Sequence, residues 1–256
     1  MFDLTGKTVL VAGGAGYLGQ PICTGLAEQG ASVVVADMAG ERARQLVAQI
    51  REKGGSAEAV ALDVADQVSS EDTVKKTVDT YGRLDVLVNA TFASIGKRVE
   101  DLTAEEFDRT NRINLTGAFI LARAAADAMP SGGSIIFFSS MYGRVSPDPR
   151  IYHAPMNPNP IEYGVGKAGV IQMAKYLAVY WGPRGIRVNV VAPGPFPNPD
   201  VQAGHPDFIS RLADRVPLGR IGRQNEMAGT IVFLASDAST YLNGATIGVD
   251  GGWTAW

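Results

Sequence analysis

Tyr163 and Lys167 stand four residues apart in the stretch Ile161-Glu162-Tyr163-Gly164-Val165-Gly166-Lys167. On a helix that spacing puts both on one face, with Cβ atoms about 5–6 Å apart. A free phenol titrates near pH ~10 and exchanges protons poorly at neutrality. An ammonium close by favours the phenolate and lowers that pKa. The pair therefore reads as a tyrosine able to pass a proton to or from an alcohol or carbonyl oxygen. The plain alternative is a chance pair with the lysine snorkelling into solvent, and the rest of the chain must decide.

The flanks call for a helix. Pro158 and Pro160 precede the pair, and an apolar-periodic run over 168–181 follows it, stopped by Gly182-Pro183. At the other end of the chain, residues 7–12 form an apolar run that predicts a buried strand. It leads into Gly13-Gly14-Ala15-Gly16-Tyr17-Leu18-Gly19 and then a helical pattern to Gly30. Strand, glycine-rich turn and helix are the context of a dinucleotide site. Glycines let the backbone approach a pyrophosphate, and the helix N-terminus supplies free N–H groups.

A second strand, 32–36, ends at Asp37, 18 residues after Gly19. An acid there accepts from a ribose 2′-hydroxyl and repels a 2′-phosphate. No basic residue follows before Arg42, so NAD is favoured over NADP. Asp37 also suits a cap for the helix predicted over 41–53.

Further strands are predicted over 57–62, 84–88, 134–138, 186–191 and 245–249. Helices are predicted over 66–81, over 103–129 (one helix, or two with a bend near Asn111 to Asn114) and near 207–215. This alternation predicts a Rossmann-type, doubly wound parallel α/β sheet of about seven strands, helices on both faces, in one domain over 1–256. The strand runs are apolar throughout, as a sheet covered on both faces requires. Gly13, Asp37, Asp63, Asn89, Ser140 and Pro193 all fall just past strand C-terminal ends, the edge at which open α/β sheets bind ligands.

The 256 residues are 46% hydrophobic with a net charge of −3 and no basic run, which disfavours nucleic acid as a partner. The start carries no signal-peptide pattern. No apolar run is long enough for a bilayer. Cys23 is the only cysteine and His153 and His205 the only imidazoles. The expectation is a soluble, cytoplasmic protein without a membrane partner or a structural metal, acting on a small molecule.

The set as a whole resembles the short-chain dehydrogenase/reductase family, in its compact single-domain branch, over essentially the full length. The residues that carry the resemblance are Gly13, Gly16 and Gly19; Asp63-Val64; Asn89-Ala90; Asn114; Ser139-Ser140; Tyr163 with Lys167; Pro193-Gly194; Pro217-Leu218-Gly219-Arg220; and Val249-Asp250-Gly251-Gly252. The resemblance implies Tyr163 as general acid/base, Ser140 orienting the substrate oxygen, Lys167 on the nicotinamide ribose and Asn114 anchoring a relay water. Ser139 is expected to cap the strand end. The cofactor residues it implies are Gly13, Gly16, Tyr17, Leu18, Gly19, Asp37, Asp63, Val64, Asn89, Ala90, Tyr163, Lys167, Pro193, Gly194 and Phe196. It also implies a homodimer or homotetramer built on the 103–129 and 163–181 helices. The family pattern is broken at Ala12 and Tyr17 in the first turn, at Thr91 after Asn89-Ala90, and at Asn198 where a threonine is usual.

Two proline-rich loops, 141–160 and 193–215, are expected to wall the substrate site, proline fixing φ and reducing the entropy lost on ordering. Phe92, Tyr142, Arg144, Arg150 and His153 are candidate contacts, the basic ones for a carboxylate or sugar hydroxyls. The leading expectation is NAD-dependent interconversion of a secondary alcohol and a ketone on a sugar, sugar acid or polyol. The alternatives are a 3-oxoacyl thioester reductase using NADPH and, from another class, a non-catalytic NAD sensor or scaffold.

Overall fold

The structure, a computed structural model, describes residues 1–256. Its elements in chain order are β1 (Thr8–Ala12), α1 (Gly19–Glu28), β2 (Ser32–Asp37), α2 (Gly40–Glu52), β3 (Ser56–Ala61), α3 (Gln67–Tyr81), β4 (Val86–Asn89), α4 (Ala104–Asn111), α5 (Ala118–Asp127), β5 (Gly133–Phe138), α6 (Ile161–Trp181), β6 (Ile186–Pro193), α7 (Pro199–Gly204), α8 (Pro206–Arg215), α9 (Ala228–Ala235) and β7 (Thr246–Val249). The strands form one parallel sheet in the order β3-β2-β1-β4-β5-β6-β7.

Successive side chains of a strand point to opposite faces, and the apolar runs divide by parity. Val9, Val11, Val33, Val35, Val88 and Ile136 meet Ile22 and Leu26 of α1, Val47 of α2 and Ile231 of α9. Leu10, Val34, Leu87, Ile135 and Phe137 meet Val74 of α3, Leu121 of α5 and Val170 and Leu177 of α6. Removing one such side chain, as in Leu10→Ala, costs about 2–5 kcal/mol. The edge strands β3 and β7 are the exception, being largely half-exposed. The chain winds from β1 outward to β3, then crosses to β4 on the other side. That reversal opens a crevice at the C-terminal ends of β1 and β4.

The structure departs from the sequence reading at two places. The 103–129 helix is α4, then a π-helical turn over Arg112–Gly117, then α5. Gly117 sits so close to the chain after β3 that a Cβ would lie 2.4 Å from the Val64 carbonyl. α6 begins at Ile161, with Tyr163 in its first turn, as the sequence reading places it. The second departure is α7 and α9, which the sequence reading does not contain. α9, Ala-Gly-Thr-Ile-Val-Phe-Leu-Ala, has no polar face from which to read a helical period.

Candidate active site

The first turn is built for close approach. Gly13 has φ +78°, and a Cβ there would stand 3.0 Å from the Ala90 carbonyl. A Cβ on Gly19 would meet the Gly13 oxygen at 2.2 Å. α1 begins at Gly19 with no side-chain cap from Leu18 and no acid in its first turn. Its N–H groups and positive dipole end are therefore available to an anion. Tyr17, the family departure, is held through its carbonyl by Gln224 Nε2 at 2.5 Å.

Asp37 fastens this turn to the end of β2. Its Oδ2 accepts from Ala15 N at 3.0 Å and its Oδ1 from Ala39 N at 2.9 Å. It does not cap α2, whose N-cap position is Ala39. Asp63 is exposed and accepts from Ala65 N at 2.9 Å, while Val64 is buried against the π turn. Asn89 turns the chain after β4, its Oδ1 accepting from the Thr91 N–H at 3.2 Å and hydroxyl at 2.7 Å.

Asn114 lies in the π turn, buried. Its Nδ2 donates to the Ala93 carbonyl and its Oδ1 accepts from Ala93 N–H, both at 2.9 Å. The side-chain amide is thus bonded to the backbone of the segment after β4. Ser139 donates to the Lys167 carbonyl at 2.7 Å, which ties β5 to α6. Ser140 Oγ accepts from Tyr142 N at 3.1 Å.

Lys167 is only 3% exposed. Its Nζ donates to the Phe138 carbonyl at 2.9 Å and the Thr91 carbonyl at 3.3 Å, and lies 5.6 Å from the centre of the Tyr163 ring. Burial pushes its pKa down from 10.5 to about 8. Burial raises the Tyr163 phenol above its ordinary value, and the Ser140 hydroxyl pulls it back. The expected direction at Tyr163 is downward through Lys167; here it is upward, set by loss of hydration and opposed by the Ser140 hydroxyl. Phe92 stands edge-on to Tyr163, ring centres 6.4 Å apart.

These groups share a cleft of about 250 Å³. It is lined by Gly13, Gly16, Tyr17, Leu18 and Gly19 at one end and by Ser140, Tyr163 and Lys167 at the other. Ala90, Phe92, Pro193, Gly194 and Phe196 lie between. Phe138 and Asn198, the latter a departure from the family pattern, also line it; neither is among the site residues the sequence points to. Asn198 Oδ1 caps α7 through Val201 N at 2.9 Å. The Phe196 ring rests on Gly222, where a Cβ would lie 2.3 Å from it.

Tyr142, Arg144, Arg150 and His153 are not brought to this cleft. Tyr142 is buried, and its hydroxyl shares a 2.7 Å hydrogen bond with Tyr152. Arg144 and His153 line separate surface grooves, His153 beside His205. Arg150 is committed to Asp148 through Nε at 2.9 Å and Nη2 at 2.8 Å, and Arg215 of α8 reaches the same carboxylate at 3.0 Å. These two arginines hold Asp148 down at about 2. The loop is held by such ties and by Met141, Tyr142 and Ile151 packing on Phe208 and Leu212 of α8. No group of three His, Cys, Asp or Glu side chains is placed to hold a metal ion, and no helix is long and apolar enough to cross a membrane.

The cradle that a Cβ would fill at Gly13 and Gly19, the uncapped helix end and the buried lysine fit a nicotinamide dinucleotide. Known proteins agree. Residues 13–254 match a family model described as Enoyl-(Acyl carrier protein) reductase. An L-rhamnose 1-dehydrogenase (NAD(P)(+)) of Sphingomonas sp. is 36% identical over 97% of this chain and 96% of its own. A 3-oxoacyl-[acyl-carrier-protein] reductase of Thermotoga maritima is 35% identical over 97% and 98%. The crystal structure of a gluconate 5-dehydrogenase from Burkholderia cenocepacia, in complex with NADP and tartrate, superposes with a TM-score of 0.89 at 30% identity, covering 100% of this chain and 98% of that one.

Proposed function

The chain belongs to the short-chain dehydrogenase/reductase family, and from that premise we propose that it interconverts a secondary alcohol and a ketone on a sugar, sugar acid or polyol, with NAD as the preferred cofactor. That it is an NAD(P)-dependent oxidoreductase acting on CH–OH groups follows from the family and its dehydrogenase members. The observation that carries the reading is the meeting of Ser140, Tyr163 and Lys167 in one cleft with the glycine turn.

The bound dinucleotide supplies or accepts the hydride; everything else falls to the chain. Gly13, Gly16 and the free N–H groups of α1 would hold its phosphates, and Asp37 a ribose hydroxyl. Lys167 has three N–H donors and two go to backbone carbonyls, which leaves one for the second ribose. Ser140 orients the substrate oxygen. Tyr163 takes the hydroxyl proton in oxidation and returns it in reduction. Asn114 contributes by fixing the chain beside Tyr163 through Ala93.

NAD is preferred in this reading because the Asp37 carboxylate would repel a 2′-phosphate and Met38, not a basic residue, follows it. The NADP in the Burkholderia structure supports the opposite choice. A 3-oxoacyl thioester reductase is the second reading, supported by the Thermotoga relative. A sensor without activity is disfavoured by the intact Ser140, Tyr163 and Lys167.

A homodimer or homotetramer is part of the proposal. Outward residues of α6 include Val165, Tyr176, Val179 and Tyr180, with Phe119 exposed on α5, an apolar face of the kind obligate interfaces cover. The proposed compartment is the cytoplasm, where a free thiol such as Cys23 stays reduced.

The test is cofactor reduction by the purified protein with L-rhamnose, D-threitol, D-gluconate and 3-hydroxyacyl thioesters, NAD and NADP in parallel. Turnover of a polyhydroxylated substrate with NAD supports the reading; turnover confined to thioesters with NADP replaces it with the second.

A further inference from the structure

Glu162 precedes Tyr163 and is fully buried, at 0% exposed. Its Oε1 accepts from the Ile95 N–H at 2.9 Å; its Oε2 has no partner. A buried polar side chain is costly unless it is hydrogen-bonded, so the tie to Ile95 is what accompanies its burial in the first turn of α6.

What Glu162 holds is the chain between β4 and α4. Thr91 is held by Asn89 and Lys167, Ala93 by both atoms of the Asn114 side chain, Ile95 by Glu162, and Gly96 by Asn157 Nδ2 at 3.1 Å. Thr91, Ala93 and Ile95, at alternate positions, are tied inward. Phe92, between two of them, projects into the cleft, 67% exposed and edge-on to Tyr163. The α6 seam beneath is tight: a Cβ on Gly166, one turn beyond Glu162 on the same face, would stand 2.7 Å from Asn111 Oδ1. The 91–96 segment is joined to this seam by the polar ties of Asn114 and Glu162.

We infer that Glu162 is a positioning residue for substrate selection: it couples the catalytic helix to the 91–96 segment and so sets the distance of Phe92 from Tyr163, making Phe92 the wall that selects substrates with an apolar ring or chain face. A ring edge at this site packs against C–H groups while Ser140 and Tyr163 take the hydroxyl. The inference rests on the alcohol-oxidising reading above.

The experiment compares Glu162→Gln, Glu162→Ala, Phe92→Ala and the double variant Glu162→Ala/Phe92→Ala. The substrate is whichever of L-rhamnose, D-threitol and D-gluconate the unaltered protein oxidises fastest. Glu162→Gln keeps an acceptor for Ile95 and should behave as the unaltered protein. Glu162→Ala and Phe92→Ala should each raise the substrate KM by roughly tenfold, with a smaller change in kcat and none in cofactor Kd. The double variant should be no worse than Phe92→Ala, because Glu162 acts through Phe92. Exchange of the Ile95 amide with solvent should quicken in Glu162→Ala and not in Glu162→Gln.

An unchanged KM in Glu162→Ala, or effects that multiply in the double variant, would overturn the inference. If Glu162→Ala does not fold, Ile95→Pro removes the donor from an accessible loop and must reproduce the KM effect. Absence of any alcohol oxidation by the unaltered protein counts instead against the functional reading, and the Ile95 exchange result still reports on the tie.

Discussion

Lys167 Nζ stands 5.6 Å from the centre of the Tyr163 ring, and both hydrogen bonds it makes go to backbone carbonyls. Without a charged partner, its pKa falls to about 8. Between that value and the unfolded value near ~10.4, the unfolded chain binds more protons than the folded one, so stability rises with pH. The ligand-free protein carries the burden of a buried ammonium below pH 8 and sheds it above. Comparing melting against Lys167→Met should show the difference moving in favour of the unaltered protein from pH ~7 to ~10, by up to about 1.4 kcal/mol per unit. A flat difference would mean that Lys167 is not desolvated as described.

Tyr163 is raised by burial and Ser140 opposes the rise. Oxidation needs the phenolate, so its rate should climb with pH along a limb set by Tyr163. Ser140→Ala removes the opposing bond and should shift that limb to higher pH, with a loss of roughly 10²-fold at neutrality. Tyr163→Phe should lose the limb and at least 10²-fold in rate while binding cofactor as before. The pH–rate profiles of the three proteins check both.

Asp37 is engaged by Ala15 and Ala39, and Met38 beside it is exposed. Asp37→Ser combined with Met38→Arg removes the repulsion and adds a phosphate partner. The ratio of kcat/KM for NADP over NAD should rise at least tenfold, about 1.4 kcal/mol. An unaltered protein that already prefers NADP would refute the cofactor assignment.

Val179 is 80% exposed on α6, beside Tyr176 and Tyr180, which stack with ring centres 6.2 Å apart. A charge at the centre of that patch should disfavour association. Val179→Glu should sediment as the 27.0 kDa chain, whereas the unaltered protein sediments at a multiple of it. A monomeric unaltered protein would remove the oligomer from the proposal.

The sheet could be read from the chain because both faces are covered: Val9 to Ala12 or Ile135 to Phe138 admit no polar residue, and the polar residue that follows marks the binding edge. Ser140, Tyr163 and the glycine turn were legible for that reason. The π turn was not, since Arg112 to Gly117 differ from an α-helix only in which carbonyl each N–H meets. Arg150 looked available because its pairing with Asp148, which Arg215 of α8 shares, is set only once the loop has folded back. Glu162 gave no signal at all: its partner Ile95 is 67 residues distant and is a backbone N–H.

Gln224 reaches Tyr17 across 207 residues of chain, and Gly222 supports Phe196 from below. The dinucleotide cradle, encoded first, is therefore completed last. During synthesis the nascent polypeptide carries a glycine turn without its clamp until Gln224 has left the ribosome. Truncation before that point removes the clamp and also takes α9 from its packing on α1, so the shortened chain should hold cofactor more weakly than the full one.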